Sequence, residues 1–403
     1  MKIATPTTML VRALPFWLTA AMLVTACAPT VTGQALRDPD APPAVTLDTG
    51  NYPTAPRPAL GVAGPNGAAI EAHRMADAVV GPWEVDPSLL EINANTRVWK
   101  EPRALVTSIP EPVPTIAANN HFLTGFSTSR SSDAPGATLA ALEIAVMRFP
   151  TVEDAAAAAA TMPAQTAARS QPVPLDGHPD ATAASTEVPG GVGMFSYTPR
   201  GVFVIYTWAR ARDSNTDVAA RATARALDLQ KPRLDAFVPT PPDEFSKLPV
   251  DPDGVLALAV PVAPGDLTVV HGSWNPRGAL HYSTNPIVSG ALFDKAHVTT
   301  VANALDTLYR TEQPADSTTL LDGLLDEASR EPNPRRTDIA PVPGVPAARC
   351  VDNGEVPPDA PKTGSPRFEC RFSVDRYVAS LSSQQLEDLH QRTAAQYLML
   401  TAT

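Results

Sequence analysis

The order of strand and helix patterns occurs twice in this chain, and that repetition constrains the fold more than any other feature of the sequence. In the first half, a strand pattern at 138–150 precedes a helix that starts at a Thr151–Asp154 capping box, and a strong strand at 201–208 precedes a second helix. In the second half, we expect the corresponding strands at 301–310 and 367–378. The sequence therefore predicts an α/β fold of two tandem βαββα, ferredoxin-like halves that form a pseudo-two-fold body.

Duplication is one of two explanations for this order, because strands and helices alternate in any α/β chain. A short match favours duplication: Phe126–Thr128 (Phe-Ser-Thr), ahead of the first half's strand, resembles Tyr282–Thr284 (Tyr-Ser-Thr), ahead of the second half's strand. Under this hypothesis the first half spans 61–238, a linker spans 239–253 and the second half spans 254–403. The sheets of the two halves could then join into one body.

The N-terminal segment has the features of an export signal. Positively charged residues are followed by an apolar stretch of twelve residues at 13–24, which is shorter than the roughly 20 apolar residues that a membrane-spanning helix needs. The small residues before Cys27, in Val-Thr-Ala-Cys, resemble the bacterial lipobox, in which the cysteine is lipidated and the leader is cleaved before it. We therefore predict a lipoprotein signal peptide at 1–26 and acyl chains, such as palmitate, on Cys27. The alternative is an ordinary secretory signal in which Cys27 has no role.

Lipid on Cys27 would hold the protein on the extracytoplasmic face of the cell membrane. Residues 28–60 carry seven prolines and no strand or helix periodicity, so we predict a disordered tether at 27–60. The formal charge of −11 argues against binding to nucleic acid or to anionic lipid surfaces, since both need clustered lysine and arginine. The expected partners are the membrane, through the lipid anchor, and an envelope protein or a lipid ligand.

The cysteine count agrees with a lipid anchor. Three cysteines are an odd number for an exported protein, and lipidation of Cys27 would leave Cys350 and Cys370. These two can form a disulfide in an oxidising compartment. The alternative is a pair of free, buried thiols.

The search for reactive side chains predicts no catalytic, metal or cofactor site. The histidines lack metal-ligand spacing, although His121 and His281, near the upstream strands of the two halves, could hold a metal or haem between them. His271 and Ser273 lie too close in sequence to face each other as base and nucleophile. Four tryptophans could line an apolar groove, but residues of this kind more often pack in a core: Trp83, Trp99, Trp208 and Trp274.

Several of these features together resemble one known family. The lipobox at Cys27, the Pro-rich tether, the repeated α/β body, the two later cysteines and the ending at 391–400 (Gln-Arg-Thr-Ala-Ala-Gln-Tyr-Leu-Met-Leu) are similar to uncharacterised envelope lipoproteins of mycobacteria and related actinobacteria. The stretch from Arg371 to Leu400 is the most specific part. The resemblance implies a location in the cell envelope, and it brings no reaction, ligand or catalytic residue.

We therefore expect a non-enzymatic envelope lipoprotein that binds a ligand or another envelope protein through the cleft between its halves. Two other functions stay open. One is an enzyme that acts on cell-wall or lipid substrates with a site built from distant residues, and the other is a sensing or adhesion module. The lining of a pocket would discriminate between them, because ionisable groups favour catalysis and apolar walls favour lipid binding.

Overall fold

The computed structural model describes residues 46–166, 170–266, 268–330, 333–355 and 366–402. The predicted signal peptide, Cys27 and the first part of the predicted tether lie outside these residues. The described residues belong to one compact unit, which contains two antiparallel sheets with helices packed on them. The prediction of an α/β fold is thereby confirmed, in two domains with one sheet each.

The first half forms an antiparallel sheet with the strand order β1-β3-β4-β8-β7-β6-β5, and β2 pairs with β3 outside this path. Its strands are β1 Glu91–Ile92, β2 Arg97–Trp99, β3 Thr124–Ser131, β4 Leu139–Arg148, β5 Gln171–Pro172, β6 Thr182–Val188, β7 Gly191–Arg200 and β8 Phe203–Arg212. Its helices are α1 Gly67–Ala76, α2 Pro82–Val85, α3 Val113–Asn119, α4 Val152–Thr166 and α5 Thr216–Ala236.

The second half forms its own antiparallel sheet with the order β12-β13-β14-β15-β11-β10-β9, so the described strands of the two halves do not share a sheet. Its strands are β9 Gly272–Trp274, β10 Val298–Asn303, β11 Thr307–Thr311, β12 Thr337–Ile339, β13 Arg349–Asp352, β14 Phe368–Val374 and β15 Tyr377–Ser383. Its helices are α6 Pro276–Ala279, α7 Pro286–Lys295, α8 Pro314–Arg330 and α9 Leu386–Thr401.

The two sheets repeat one topology. The order β2-β3-β4-β8-β7-β6-β5 in the first half corresponds strand by strand to β9-β10-β11-β15-β14-β13-β12 in the second, and the helices α3, α4 and α5 occupy the chain positions of α7, α8 and α9. The repeating unit thus contains more strands than the βαββα unit that the sequence pattern indicated. We call the two copies repeat one and repeat two.

Side-chain contacts repeat as well. His121 follows α3 with a φ of +61° and lies 3.1 Å from Asp154 at the start of α4, while His297 follows α7 with a φ of +44° and lies 3.2 Å from Asp316 at the start of α8. The counterpart of His121 is therefore His297. The sequence pattern, by contrast, pairs His121 with His281. These matching pairs support descent of both repeats from one unit.

The last helix of each repeat carries a buried glutamine with the same pair of backbone partners. Gln230 of α5 accepts from the Val80 amide at 2.9 Å and donates to the Ala78 carbonyl at 2.8 Å. Gln396 of α9 likewise accepts from the backbone amide at position 260 at 3.0 Å and donates to the carbonyl at position 258 at 2.8 Å. A buried amide that satisfies two backbone groups ties the last helix to the chain ahead of the sheet.

Two local features differ from what the sequence pattern indicates. The predicted strand at 301–310 is the end of β10, a turn that contains Asp306, and β11. A proline normally ends a helix, but α5 continues past Pro232 to Ala236 and buries Leu234. A proline inside a helix costs roughly 3 kcal/mol, and the buried contacts of the last two turns offset this cost.

The predicted tether also ends earlier than residue 60. The Tyr52 hydroxyl donates to Asp388 of α9 at 2.6 Å, and the Arg57 amide donates to the Ala257 carbonyl at 3.0 Å. Leu47 and Leu60 pack against the core of repeat two. Residues 46–60 are therefore attached to the folded body. The prediction of a disordered tether was based on the prolines of this segment and did not take these contacts into account.

The disulfide joins neighbouring strands of repeat two. Cys350 of β13 and Cys370 of β14 are directly opposite each other, with 4.1 Å between their Cα atoms. Both residues are buried in the core under α9. The predicted bridge is present in the structure.

Candidate functional site

A cavity of about 330 Å³ lies on the face of the second sheet that α7 and α8 cover. Its volume is at the lower end of the roughly 300–1,000 Å³ range of small-molecule sites. Four aromatic and four charged side chains are among those that line it: Trp274, Tyr282, Phe293, Tyr309, Glu327, Arg336, Glu369 and Arg371.

The same layer of repeat one contains a packed apolar core. The β7–β8 hairpin of repeat one and the β14–β15 hairpin of repeat two can be aligned on the residue pair next to each turn. In this alignment Glu369 occupies the position of Phe195, and Arg371 occupies that of Tyr197. Phe195 and Tyr197 are buried in a large cluster beneath α3 and α4, whereas the cluster beneath α7 and α8 is small. Repeat two therefore has charged side chains where repeat one has rings, and it has a cavity in this layer.

An ion pair forms the floor of the cavity. An Arg371 nitrogen lies 2.8 Å from a Glu369 oxygen, and the Asn353 amide donates to the other Glu369 oxygen at 2.9 Å. The Arg371 and Glu369 side chains are 16% and 15% exposed. Because buried charges are costly without partners, this pairing offsets the cost of burying both groups, while the buried Arg371 Nε has no partner among the described residues.

A chain of hydroxyl groups forms one wall. The Ser283 and Ser289 hydroxyls share a hydrogen bond of 2.6 Å, and Ser289 donates to a Glu327 oxygen at 3.2 Å. The Tyr282 hydroxyl is also buried, and it has no partner among the residues that the structure describes. Ser283, Ser289 and Glu327 therefore bring hydroxyl groups and a carboxylate to the lining of the cavity.

Tyr309 stays protonated in this environment. Burial raises the pKa of its hydroxyl to about 12, nearby Arg371 lowers the pKa, and Glu327 raises it. Burial likewise raises the pKa of Tyr282. Both phenols are thus neutral hydrogen-bonding groups at physiological pH.

The wall that contains Trp274 and Tyr282 is held by repeat one. This wall is part of the junction segment, which we define as residues 272–284. The buried Arg130 of β3 donates to carbonyl oxygens of Leu280, His281 and Ser283 at 3.3, 3.0 and 2.7 Å. The Arg130 guanidinium also lies over the Trp83 ring, 5.0 Å from its centroid. Repeat one thereby fixes one wall of a cavity that belongs to repeat two.

His281 is the second anchor of the junction segment. It is fully buried, with Nδ1 3.0 Å from the Thr128 hydroxyl and Nε2 3.0 Å from the Ala76 carbonyl. Phe126 also contacts Tyr282, with 6.3 Å between ring centroids. The two segments that looked like repeats of each other, Phe126–Thr128 and Tyr282–Thr284, are thus packed together, and the register counterpart of Phe126 is Ala302.

The histidines singled out from the sequence do not form a shared site. His121 is 72% exposed beside Asp154, whereas His281 is fully buried in the junction. Across the part of the chain that the structure describes, no group of three or more metal-ligating side chains occurs. His271 Nδ1 accepts from the Thr268 amide at 2.9 Å, while Ser273 pairs with Ala302 in the sheet.

The sequence reasoning missed the residues that form the cavity. Of the four tryptophans considered, Trp274 lines it, while Trp99 packs in the core of repeat one. Glu369 and Arg371 alternate with the buried Phe368, Cys370 and Phe372, so they read as an ordinary solvent-facing side of a strand. A comparison of the two repeats at strand register would have found them.

The cleft that was expected between the halves is also present, with a volume of about 460 Å³. Its lining is mostly apolar, from residues such as Ile70, Val250 and Val262, with the cations Arg57 and Lys100 at its edge. A buried histidine, His73, lies in its wall, stacks on Trp274 with 4.0 Å between ring centroids, and has its pKa lowered to about 4 by burial. The cleft suits an apolar ligand, whereas the cavity of repeat two suits a polar one.

The helices within the described residues include none that combines the length and the apolarity needed to cross a membrane.

Comparisons with known proteins place the chain in a family. Residues 62–250 match the N-terminal part of a domain of unknown function, DUF7373, and residues 256–403 match its C-terminal part. The chain belongs to the DUF7373 family. The expectation of an uncharacterised family is confirmed at this level, and the location of this DUF7373 protein in the envelope of an actinobacterium remains a prediction.

Two further comparisons add little. No curated protein matches this chain. One solved structure, the extracellular domain of PknH from Mycobacterium tuberculosis, is 12% identical and covers 41% of this chain and 96% of its own, with a TM-score of 0.30. A similarity this low does not establish a shared fold.

Proposed function

We propose that this DUF7373 protein is a lipid-anchored, extracytoplasmic binding protein, and that its ligand binds in the cavity of repeat two. The lipobox at Cys27 supports the location. The observation that carries the binding function is the exchange of Phe195 and Tyr197 in repeat one for Glu369 and Arg371 in repeat two, which accompanies the change from a packed core to a cavity.

The cavity is better suited to binding than to catalysis. Among the described residues that line it there is no histidine or cysteine, and the serine hydroxyls Ser283 and Ser289 lead to a carboxylate rather than to an imidazole base. Glu369 is held by Arg371 and Asn353. These groups are arranged as fixed donors and acceptors, which is what recognition of a small ligand requires.

Native mass spectrometry of the detergent-extracted protein tests this proposal. We expect a bound small molecule on the wild type and its loss from the Glu369→Phe/Arg371→Tyr double variant, which gives the cavity floor the residues of repeat one. Lys100→Met, at the edge of the cleft between the halves, serves as the matched control and should retain the ligand. A wild type without ligand, or a ligand lost from the cleft variant and kept by the floor variant, would contradict the proposal.

Fractionation of the host cells tests the anchor. We expect wild-type protein in the membrane fraction and Cys27→Ser either released from membranes or accumulated as the uncleaved precursor, because a stable attachment needs the acyl chains. A Cys27→Ser protein that is processed and still membrane-bound would refute the lipid anchor and leave the binding site untouched.

A further inference from the structure

The cleft between the halves combines an apolar interior with a polar edge. Its floor is made by buried residues such as Ala69, Leu256 and Ala304, and its rim includes Asn66 and Lys100, which are exposed to solvent. The cleft therefore changes from apolar and buried at the bottom to polar and open at the top.

The walls of the cleft are aliphatic and accessible to a ligand. Five of the lining residues are half-buried, so each keeps some surface that a ligand can cover: Leu60, Ile70, Val250, Val262 and Val269. Burial of such surface against an apolar chain is favourable, and each methylene group that leaves water on binding adds about four-fold to the affinity. The walls therefore favour a ligand with an aliphatic chain.

The charged groups of the cleft have one sign. Arg57 and Lys100 line it, and no carboxylate does so among the described residues. Burial lowers the pKa of Arg57 and nearby Asp251 raises it, so Asp251, which is not part of the lining, balances some of this charge. Lys100 is exposed and has no ion pair with any described residue, unlike Lys231 and Lys247. The chain has a formal charge of −11, yet this cleft presents positive charge.

An amphiphile with an anionic head group matches both features. Its chain would cover the aliphatic walls, and a carboxylate at its end would lie beside the Lys100 ammonium at the rim. The volume of about 460 Å³ lies in the lower part of the range of small-molecule sites, which favours one chain over the two chains of a diacyl lipid. A neutral hydrocarbon would leave the cation without a partner, and a small polar anion would leave the walls uncovered.

We propose that the cleft is a second ligand site, which binds a long-chain fatty acid with its carboxylate at Lys100 and its chain along the half-buried aliphatic residues. The described lining of the cleft shares Asn303 with that of the repeat-two cavity and otherwise differs from it. The fatty-acid site therefore does not depend on the proposed function of that cavity.

Photo-crosslinking tests the proposal on the full-length protein in lipid nanodiscs, because detergent would compete with a fatty acid for an apolar cleft. The main probe is palmitic acid with a diazirine in its chain, and the same chain with an alcohol or a trimethylammonium head group gives a neutral and a cationic probe. Mass spectrometry of the digested protein locates the label. We expect the palmitate probe to label the segments that line the cleft, 57–73 and 250–272, and an excess of oleate to prevent this.

Variants test the chain and the head group separately. Val262→Trp fills the cleft and should abolish the labelling of these segments by the palmitate and alcohol probes. Lys100→Met should weaken labelling by the palmitate probe about three-fold, as expected for the loss of one exposed ion pair, and it should leave labelling by the alcohol probe unchanged. Lys295→Met removes an exposed lysine at the end of α7 and is the matched control, which should label as the wild type does.

Each variant is compared with the wild type in the same membrane and with the same probe, so the partition of the probe into lipid cancels. Lys100 is exposed, so its variant remains informative even if Val262→Trp does not fold.

Two kinds of result would overturn the proposal. The first is label confined to other segments, or label in the cleft that neither oleate nor a folded Val262→Trp protein reduces, since either would show that the cleft holds no chain. The second is an equal effect of Lys100→Met on the palmitate and alcohol probes, or cleft labelling by the cationic probe as strong as by palmitate, since either would show that no anionic head group is recognised. Both leave the cavity of repeat two untouched, because that cavity is tested through Glu369 and Arg371.

Discussion

Acid should destabilise the junction between the repeats through His281. Burial is the main cause that lowers the pKa of His281 to about 3, and nearby Arg130 and Arg277 lower it further, against opposing effects of the Ala76 carbonyl and Glu84. In the unfolded chain a histidine titrates near its usual pKa of about 6.5. The folded protein thus keeps His281 neutral over a pH range in which the unfolded chain takes up a proton.

The sign and size of the effect follow from this difference. Between about pH 6.5 and pH 3 the unfolded state binds one more proton at His281, so the free energy of unfolding falls as the pH is lowered. The slope approaches about 1.4 kcal/mol per pH unit. From about pH 8 to about pH 5, His281 alone should remove about 2 kcal/mol of stability.

Denaturant unfolding followed by tryptophan fluorescence measures this contribution. The wild type and His281→Gln should be compared at about pH 8 and about pH 5, and the variant should lose about 2 kcal/mol less over that interval. Contributions from other groups, such as the buried Asp306 and His73, are common to both proteins and cancel in the difference. His121→Gln, at a histidine whose side chain is 72% exposed, is the control and should follow the wild type. Equal losses in the wild type and His281→Gln would refute the assigned role of burial at this residue.

Three further perturbations test the fold. Reduction of the Cys350–Cys370 disulfide, which spans 20 residues of sequence, should lower the free energy of unfolding by about 3 kcal/mol; an unchanged denaturation midpoint with and without reductant would argue against a bridge. Gln230→Ala and Gln396→Ala should each cost about 2 kcal/mol in the same assay, because each leaves a buried amide and carbonyl unpaired, and a clear difference in cost would count against their equivalence in the two repeats. Arg130→Lys should cost about 2 kcal/mol, since a lysine cannot replace the fork, in which one terminal nitrogen donates to the Leu90 carbonyl and the other to carbonyls of the junction segment; a neutral effect would show that these bonds do not hold the junction.

The repeated order of elements could be predicted from the sequence because it depends on local patterns. The strong strand at 201–208 and the capping box at Thr151–Asp154 both correspond to observed features, β8 and the start of α4. Register could not be predicted in the same way. The turn at Asp306 lies inside an apolar run that resembles a single strand, and the backbone around it is stabilised by a distant contact, in which the Ser382 amide donates to Asp306 at 3.0 Å.

The cavity could not be predicted because it depends on what covers a strand. Alternation along β14 correctly sets Glu369 and Arg371 on the face opposite Cys370, but a strand pattern does not tell whether that face meets water or a pair of helices. Likewise, Arg130 reads as a surface cation in the sequence, whereas the structure buries it completely and satisfies it with carbonyls from a segment 150 residues away. Long-range packing, rather than local propensity, decides both cases.

The most direct test of the central claim is a crystal structure of the protein purified from its native membrane. The account predicts ligand density in the cavity of repeat two, between the Glu369–Arg371 pair and the wall formed by Ser283 and Ser289. Ligand density confined to the cleft beside His73, with water alone in the cavity of repeat two, would contradict it.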